Sequence, residues 1–312
     1  MININSKIFL AGHNGMLGSS ILRTLKKKGY KKLITVDRKK LDLRNQDSVK
    51  KFFKIKKPDA VIIAAAKVGG IKANMEYPAN FITDNLQIQT NLILNSYVNK
   101  TKKLILFGSS CIYPKDLKKP IKENQIMTGA LEKTNESYSV AKIAGIQMIE
   151  SFNVQYKTKY ICLMPCNLFG PNDSYDLNNS HFFPALIRKI YNASKKKKKK
   201  LVKLWGTGRP LREVLYVDEV AEACEFFLRK KTNSSLINIG SSIEMSIKNY
   251  AKKIKNKIDP SVMIIFDNNK NLDGVKRKKL DISVAKKNGW KTKMNFSEAL
   301  DKTIKDFKKK YK

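Results

Sequence analysis

KIFLAGHNGMLG, residues 7–18, is an apolar run followed by three glycines that lie three residues apart. The apolar run predicts a strand, and the residues from Met16 onward predict a helix. Glycines at such a turn let the backbone approach a pyrophosphate closely, while the first amide groups of the helix point toward it. The spacing therefore predicts a dinucleotide-binding loop, although a turn that only packs helix against strand also uses glycines. The predicted loop consists of Gly12, His13, Asn14, Gly15, Met16, Leu17 and Gly18.

The alternation of strand and helix continues beyond this loop. Strands are predicted at residues 7–11, 33–37, 60–66, 104–109, 161–165 and 236–239, and helices at 16–28, 46–55, 80–99, 138–156 and 217–228. Residues 60–66 are entirely apolar, as expected of a strand covered on both faces. Strands that alternate with helices form parallel sheets. The sequence therefore predicts an α/β fold with a Rossmann-type doubly wound parallel sheet.

The regular alternation ends near residue 165, because residues 169–180 are rich in Gly, Pro, Asn and Asp. We expect residues 1–165 to form the dinucleotide-binding domain and residues 215–241 to return to it. Residues 166–214 and 242–312 then form a smaller C-terminal substrate-binding lobe. Ligands of open α/β sheets bind at the carboxyl ends of the strands, so this lobe is expected to cover that edge.

The chain has 312 residues, with 63 Lys and Arg against 26 Asp and Glu, and a formal net charge of +37. Such a charge favours anionic partners, whether nucleic acid, a membrane surface or a phosphorylated small molecule. Residues 195–200 are six consecutive lysines, which predict a solvated loop or helix end, yet removing them still leaves +31. The lysines are spread along the chain rather than gathered in one stripe with aromatic residues. This spread argues against a basic nucleic-acid-binding protein on this fold, which stays an alternative.

Cysteine usage and hydropathy indicate the compartment. The four cysteines, Cys111, Cys162, Cys166 and Cys224, form no C-x-x-C pair, which favours a reducing cytoplasm over a disulfide framework. The longest apolar run has seven residues, and the first residues lack the apolar core of a signal peptide. Two histidines without a tight cysteine cluster do not make a metal site. We expect a cytoplasmic protein without a bound metal.

The end of the second predicted strand bears on the choice of dinucleotide. An acidic residue there commonly binds the ribose hydroxyls of NAD, whereas an arginine accommodates the additional phosphate of NADP. Asp37 favours NAD, while Arg38, Lys39 and Lys40 favour NADP. These residues alone leave the choice open.

Tyr138 and Lys142 lie four residues apart, on one face of a predicted helix. A nearby ammonium favours phenolate over phenol, so the spacing predicts a lowered pKa for Tyr138. Such a tyrosine can give a proton to a carbonyl oxygen while a hydride reaches the carbonyl carbon. Ser109, at the end of a predicted strand, is placed to hold the same oxygen. The three residues together with the glycine loop predict a carbonyl reductase.

Several strings carry a resemblance to a known family. They are AAAKVGGI at residues 64–71, GSSCIYP at 108–114, NSH at 179–181, WGTG at 205–208, RE at 212–213 and DG at 273–274. With the glycine loop and the Ser109, Tyr138 and Lys142 set, they resemble the extended short-chain dehydrogenase/reductase superfamily and, within it, the GDP-L-fucose synthase family. The likeness implies epimerisation of GDP-4-keto-6-deoxy-D-mannose at carbons 3 and 5, followed by reduction of the 4-keto group with NADPH.

The resemblance assigns the epimerisation to a cysteine and a histidine, which match Cys111 and His181. A thiolate is a competent base and an imidazole a competent acid. Without the resemblance, Cys111 is better explained as an inert thiol and His181 as a loop histidine without a task. The implied catalytic set is Ser109, Cys111, Tyr138, Lys142 and His181.

The resemblance also implies ligand contacts and NADP(H) as the cofactor. The implied cofactor contacts, besides the glycine loop, are Arg38, Phe107, Gly108, Ser109, Ser110, Lys142, Pro165, Cys166, Asn167, Leu168 and His181. The implied GDP-sugar contacts are Lys189, Trp205, Arg212 and Asp273. Two positions depart from the family, since Asn14 and Lys189 stand where arginine is common. Lys189 loses the bidentate fork that an arginine would offer to a diphosphate.

The family also implies a homodimer, formed through a four-helix bundle to which each subunit contributes residues 80–99 and 138–156. Another sugar-nucleotide epimerase or a dehydratase of the same fold stays an alternative. A dehydratase generally needs carboxylates beside the position of Ser109. Here Ser110 and Cys111 stand there instead, which disfavours dehydration.

Overall fold

The computed structural model describes residues 2–177, 180–197, 199–269 and 273–311. Its strands are β1 (Ile8–Ala11), β2 (Leu33–Ile34), β3 (Ala60–Ile63), β4 (Lys103–Phe107), β5 (Ile161–Pro165), β6 (Asn167–Phe169), β7 (Leu201–Leu204), β8 (Leu211–Tyr216), β9 (Leu236–Ile239), β10 (Glu244–Ser246), β11 (Met263–Phe266) and β12 (Arg277–Lys278). Its helices are α1 (Met16–Lys27), α2 (Gln46–Lys56), α3 (Ile71–Glu76), α4 (Pro78–Val98), α5 (Glu136–Tyr156), α6 (Phe182–Ser194), α7 (Val217–Arg229), α8 (Ile247–Ile258), α9 (Ser283–Lys287) and α10 (Phe296–Lys310).

The central sheet has six parallel strands in the order β2-β1-β3-β4-β5-β9. The chain runs outward from β1 in both directions, so the predicted Rossmann-type doubly wound parallel sheet is confirmed. Strands β1, β3, β4 and β5 are buried at every position. Helices cover both faces of such a sheet, which is why these strands are almost continuously apolar.

Two predicted strands extend three residues too far, and the strand predicted at 104–109 extends two residues past its observed end at Phe107. The strand predicted at 60–66 ends at Ile63, where the amide of Ala64 donates to the carbonyl of Ala11 at 3.0 Å. The strand predicted at 33–37 is only Leu33–Ile34, because its register with β1 covers two residues. In both places the chain leaves the ladder at the carboxyl edge, where the glycine loop lies.

The smaller lobe contains the second group of strands. β8 lies between the antiparallel β10 and the parallel β12, β6 also pairs with β8, and β7 pairs with β11. Its separate core is built from aromatic and aliphatic side chains of α6, α8 and α10, among them Phe183, Tyr250 and Phe307.

The two hydrophobic cores do not correspond to two continuous segments of the chain. Val214 and Tyr216 belong to the core of the lobe, whereas Leu215 between them belongs to the core of the sheet. Residues 280–290 contribute Leu280, Ile282, Ala285 and Trp290 to the core of the sheet as well. The segment predicted at 242–312 for the lobe therefore also returns to the first core.

The lysine tract follows α6 directly, since α6 ends at Ser194 and Lys195–Lys197 are exposed. Lys200 forms an ion pair with Asp259, with Nζ 2.8 Å from Oδ2. Lys198 lies outside the described residues, as does Asn179 of the NSH string. Among the helices of the described ranges, none is both long and apolar enough to cross a membrane.

Candidate active site

The glycine loop runs from the end of β1 to the start of α1. Gly12 has a φ of +86°, and a Cβ there would lie 2.6 Å from the backbone nitrogen of Ala65. A Cβ on Gly18 would collide with the carbonyl oxygen of Gly12. Gly15 precedes α1, whose first amides have no side-chain cap. These amides are therefore available to an anion, and the loop fits the pyrophosphate of a dinucleotide.

The end of β2 lies beside this loop. Asn14 Nδ2 donates to Oδ1 of Asp37 at 2.8 Å, and His13 Nε2 lies 3.5 Å from the same oxygen. Arg38, Lys39 and Lys40 are exposed at the same edge. One carboxylate oxygen of Asp37 is thus held by the glycine loop, while the three cations face solvent next to it.

Ser109 and Tyr138 meet where β4 ends. Gly108 follows the strand, and a Cβ there would collide with the sulfur of Met164. Ser109 Oγ accepts from the amide of Cys111 at 3.3 Å, and the side chains of Ser109 and Tyr138 are hydrogen-bonded. The close packing of Gly108 brings the serine from the strand end and the tyrosine from α5 to one point.

Lys142 lies beneath Tyr138 and is buried. Its Nζ donates to the carbonyl of Phe107 at 3.0 Å and lies 6.0 Å from the centroid of the Tyr138 ring. Burial lowers the pKa of Lys142 to about 8. Desolvation also raises the pKa of Tyr138, opposed by its hydrogen bond to Ser109. The expected lowering of the pKa of Tyr138 is therefore not found, because burial outweighs the effect of an ammonium that bonds to a main-chain carbonyl.

Cys111 sits half-buried in a single 3₁₀ turn, Ser110–Ile112. Ser139 Oγ donates to the carbonyl of Cys111 at 3.1 Å, which ties this turn to α5. The thiol is close enough to Arg212 to raise the pKa of the guanidinium, although burial of Arg212 lowers that pKa more. Cys111 therefore lies between α5, which carries Tyr138, and the lobe.

His181 precedes α6 and keeps solvent contact. Surrounding protein nevertheless lowers the pKa of its imidazole by desolvation. The next residue, Phe182, packs against Tyr250 with ring centroids 6.1 Å apart, and Tyr250 donates to the carbonyl of Arg212 at 2.9 Å. His181 is thus attached to the same part of the lobe as Arg212. In the described part of the chain, no hydrogen bond joins His181 to Cys111.

The lobe presents Trp205 and Lys189 together. Trp205 is 67% exposed, and Lys189 Nζ lies 4.3 Å from the centroid of the indole. Burial lowers the pKa of Lys189, opposed by Asp267. An exposed indole with a cation over one face offers its other face to a planar group, so Trp205 is not a core aromatic here.

Arg212 and Asp273 are both engaged by main-chain groups. Arg212 donates through Nη1 to the carbonyls of Leu211 and Val275, at 2.9 and 2.6 Å, and through Nη2 to that of Asp273 at 3.3 Å. Of its five N–H donors, Nε–H and one on Nη2 lie outside these bonds. The Asp273 carboxylate accepts from the amide and hydroxyl of Thr207, both at 2.7 Å. Asp273 thus fixes the loop that carries Trp205.

The segment predicted to border the cofactor lies at the junction of the two cores. The amide of Cys166 donates to Ile239 at 3.0 Å, and Asn167 Nδ2 donates to the carbonyl of Glu213 at 3.1 Å. Pro165 ends β5, and Leu168 packs against the core of the sheet. Burial raises the pKa of the other three thiols, Cys162, Cys166 and Cys224, so these remain protonated and unreactive.

Sequence reasoning missed several residues that position this site. Ser139 holds Cys111, and Thr207 holds Asp273. Asn172 contacts the glycine loop from the lobe. Ser139 lies between Tyr138 and Lys142 in the sequence and could have been noticed by its place next to Tyr138. The other two are visible only once the chain is folded, because their partners are distant in sequence.

The chain is similar to known proteins over nearly its whole length. Residues 8–240 match the NAD dependent epimerase/dehydratase family. GDP-L-fucose synthase 1 of Arabidopsis thaliana is 44% identical over 303 residues, 97% of this chain and 93% of that protein. GDP-L-fucose synthase of Escherichia coli K12 is 40% identical over 310 residues, 96% of each chain. The solved GDP-mannoheptose C4 reductase of Campylobacter jejuni, with NADP bound, has 35% identity and a TM-score of 0.89, covering 99% of this chain and 100% of that chain.

Proposed function

Because this chain belongs to the NAD dependent epimerase/dehydratase family and, within it, to the GDP-L-fucose synthases, we propose that it converts GDP-4-keto-6-deoxy-D-mannose into GDP-L-fucose. One observation of the structure carries the proposal. Tyr138 with Ser109 and the half-buried thiol of Cys111 lie together at the carboxyl edge of the sheet. The glycine loop, which fits a dinucleotide, lies at the same edge, and the lobe presents the indole of Trp205 with the cation of Lys189.

The cofactor is NADP(H), which supplies the hydride when bound. The uncapped amides of α1 and the close approaches at Gly12 and Gly18 fit its pyrophosphate. Arg38 and the adjacent lysines are exposed where a ribose phosphate would lie, while Asp37 is engaged by Asn14. The exposed cations support NADP over NAD, because they can bind the additional ribose phosphate that NADP carries.

Epimerisation is assigned to Cys111 and His181. The ketone at carbon 4 acidifies the protons on carbons 3 and 5, and the Cys111 thiolate removes one of them to become a thiol. His181 returns a proton on the opposite face. The guanidinium of Arg212 lies close enough to Cys111 to interact with it electrostatically. The lowered pKa of His181 makes its protonated form a stronger acid. Both features serve the transfer of a proton across the sugar ring.

Reduction is assigned to Ser109, Tyr138 and Lys142. Tyr138 O–H gives its proton to the oxygen at carbon 4 while the hydride reaches that carbon, and the ketone becomes an alcohol. Because desolvation raises the pKa of Tyr138, the phenol holds its proton across neutral pH until an oxyanion develops. Ser109 orients the same hydroxyl, and Lys142 supports the helix–strand junction by its bond to Phe107.

The GDP part of the substrate is assigned to the lobe. Trp205 offers an aromatic face, and Lys189 and Arg212 supply cations for the diphosphate. Besides the expected contact with a sugar or ribose hydroxyl, Asp273 has a second proposed role. Since both of its oxygens accept from Thr207, we assign it to positioning the Trp205 loop.

We also propose a homodimer formed through α4 and α5. Each helix has 21 residues, and together they contain one lysine, the buried Lys142, and no arginine, in a chain where 63 of 312 residues are Lys or Arg. Apolar side chains are exposed on these helices, namely Leu94, Val98, Val140 and Val154. A surface that lacks exposed basic side chains and is lined with apolar groups supports burial against a second copy. Light scattering that finds only monomer at micromolar concentration contradicts this assembly.

The compartment is proposed to be the cytoplasm. All four cysteines are free, and three of them are buried thiols. A protein with reduced thiols suits a reducing environment.

The function is tested by incubating the purified protein with GDP-4-keto-6-deoxy-D-mannose and NADPH, followed by product analysis. GDP-L-fucose, formed with one NADPH oxidised per product, is the expected result. Epimerised product without net NADPH consumption would identify a sister epimerase, and NADPH consumption without inversion at carbons 3 and 5 would identify a simple C4 reductase. Specific nucleic-acid binding that persists at physiological salt would favour the basic-scaffold alternative.

A further inference from the structure

The loop that follows β6, residues 170–177, lies between the glycine loop and the last helix of the lobe. Asn172 stands in it with a φ of +68°, a left-handed conformation that asparagine tolerates better than most residues. None of the ligand contacts assigned above uses this residue. Its side chain and its main-chain amide nevertheless bond to both domains.

On one side Asn172 holds the glycine loop. Its Nδ2 donates to the carbonyl of Asn14 at 3.0 Å and lies 3.3 Å from Oγ of Ser19, in the first turn of α1. Asn14 in turn donates to Asp37 at 2.8 Å. A single amide therefore fixes the backbone of the loop and, through Asn14, the carboxylate at the end of β2.

On the other side α10 holds Asn172. Its main-chain amide donates to Oδ2 of Asp306 at 2.9 Å, and Lys310 Nζ donates to its Oδ1 at 2.9 Å. Lys310 and Asp306 also form an ion pair at 3.2 Å. The contacts run in series from α10 through Asn172 and Asn14 to Asp37.

We propose that Asn172 is a positioning residue that clamps the glycine loop from the lobe and so controls the affinity and release of the dinucleotide. Asn14 and Gly15 are exposed, so the middle of this loop has little packing of its own to hold its shape. The N-terminal amides of α1 can bind a pyrophosphate only while the loop keeps that shape. The identity of the dinucleotide rests on the proposed function, whereas the clamp rests on the contacts alone.

The test is Asn172→Gly, which keeps the left-handed backbone accessible and removes the bridging amide. Its matched control is Lys57→Gly, which replaces another exposed residue with positive φ, at the end of α2 and before the amino end of β3. Three quantities are measured for each variant and for the wild type. They are NADPH affinity and release rate, GDP affinity, and amide hydrogen exchange of residues 14–16 in the ligand-free protein.

Loss of hydrogen bonds of ordinary strength predicts that Asn172→Gly binds NADPH about fivefold more weakly, with faster release. GDP affinity is expected to stay unchanged, while exchange at residues 14–16 becomes faster. Lys57→Gly is expected to match the wild type in all three. Lys310→Met should show a smaller loss alone and little additional loss in the Asn172→Gly background, because Lys310 acts through Asn172.

Wild-type NADPH release and wild-type exchange in an Asn172→Gly protein that still binds GDP would overturn the clamp. If the wild type fails to bind NADPH while exchange at residues 14–16 still responds to Asn172→Gly, the proposed cofactor is wrong and the clamp stands. Should Asn172→Gly not fold, the same three quantities are measured for Lys310→Met. That variant is expected to fold, because the side chain of Lys310 is exposed.

Discussion

The candidate site has one wall formed by the sheet and α5 and another formed by the lobe, and the two walls are built differently. On the sheet side, Lys142 is buried and bonds to a main-chain carbonyl, and the neighbouring Tyr138 bonds to Ser109. On the lobe side, Trp205 is two-thirds exposed, and its loop is held by the contact of Asp273 with Thr207. The first wall holds its groups through close packing, and the second through a few polar contacts near solvent.

This difference separates chemistry from recognition. Proton transfer needs atoms held to a fraction of an ångström, which strand ends and a packed helix provide. Recognition of a nucleotide tolerates more freedom, because a base can stack on an indole in several orientations. Substitutions on the sheet side should therefore reduce the rate of a chemical step, whereas substitutions on the lobe side should reduce substrate affinity.

Tyr138→Phe is expected to have the largest effect. Removing the proton donor should lower the rate of reduction by about 10²- to 10⁴-fold, the usual contribution of a positioned general acid. NADPH affinity and exchange of the ring protons with deuterated water should remain, because neither uses the phenol hydroxyl. NADPH oxidation is followed by absorbance and exchange by NMR. Reduction at more than a tenth of the wild-type rate would remove Tyr138 from its assigned role.

Cys111→Ser should slow the epimerisation at carbons 3 and 5. A serine hydroxyl is a far weaker base than a thiolate, so exchange of the protons on carbons 3 and 5 should slow by about 10²-fold or more. Tyr138→Phe is the matched control, since it should exchange normally while failing to reduce. Exchange at the original rate in Cys111→Ser means that the base is misassigned.

The pH dependence of reduction probes the buried amine on the sheet side. Lys142 has a pKa lowered to about 8, so it is charged below that pH and loses its charge as pH rises through it. If the cation assists catalysis, kcat/KM for NADPH should be close to its plateau at pH 7 and about tenfold lower at pH 9. Lys142→Arg keeps the charge and should remove this alkaline limb. A level profile from pH 7 to 9 in the wild type would show that the charge of Lys142 is not required.

The fold was predictable wherever strands are buried on both faces. The strands predicted at 161–165 and 236–239 have those bounds in the structure. The strand predicted at 60–66 was too long, because apolar character continues past the point where Ala65 meets Gly12. The lobe strands could not be placed individually. They have two to six residues, several are half-buried, and their pairing joins segments far apart in sequence.

Residues of the site were predictable where their spacing is local. Tyr138 and Lys142 share a helix face, and that spacing is visible in the sequence. The pKa values were not predictable, because they depend mainly on desolvation by segments of the chain that are distant in sequence. The three hydrogen bonds from Arg212 to carbonyls of its own lobe were not predictable either, because two of the three carbonyls lie more than 60 residues away.

Trp205→Ala is expected to have the smallest effect and tests the wall that the lobe forms. Loss of one aromatic face and of the cation above it should raise KM for the GDP-sugar about threefold to tenfold, with kcat little changed. Trp205→Phe keeps an aromatic face and should recover most of the affinity. Because Trp205 is exposed, neither variant removes a core side chain, so unfolding should not complicate the measurement. A fall in kcat with unchanged KM would place Trp205 among the groups that act on the chemical step, and the division between the two walls would no longer hold.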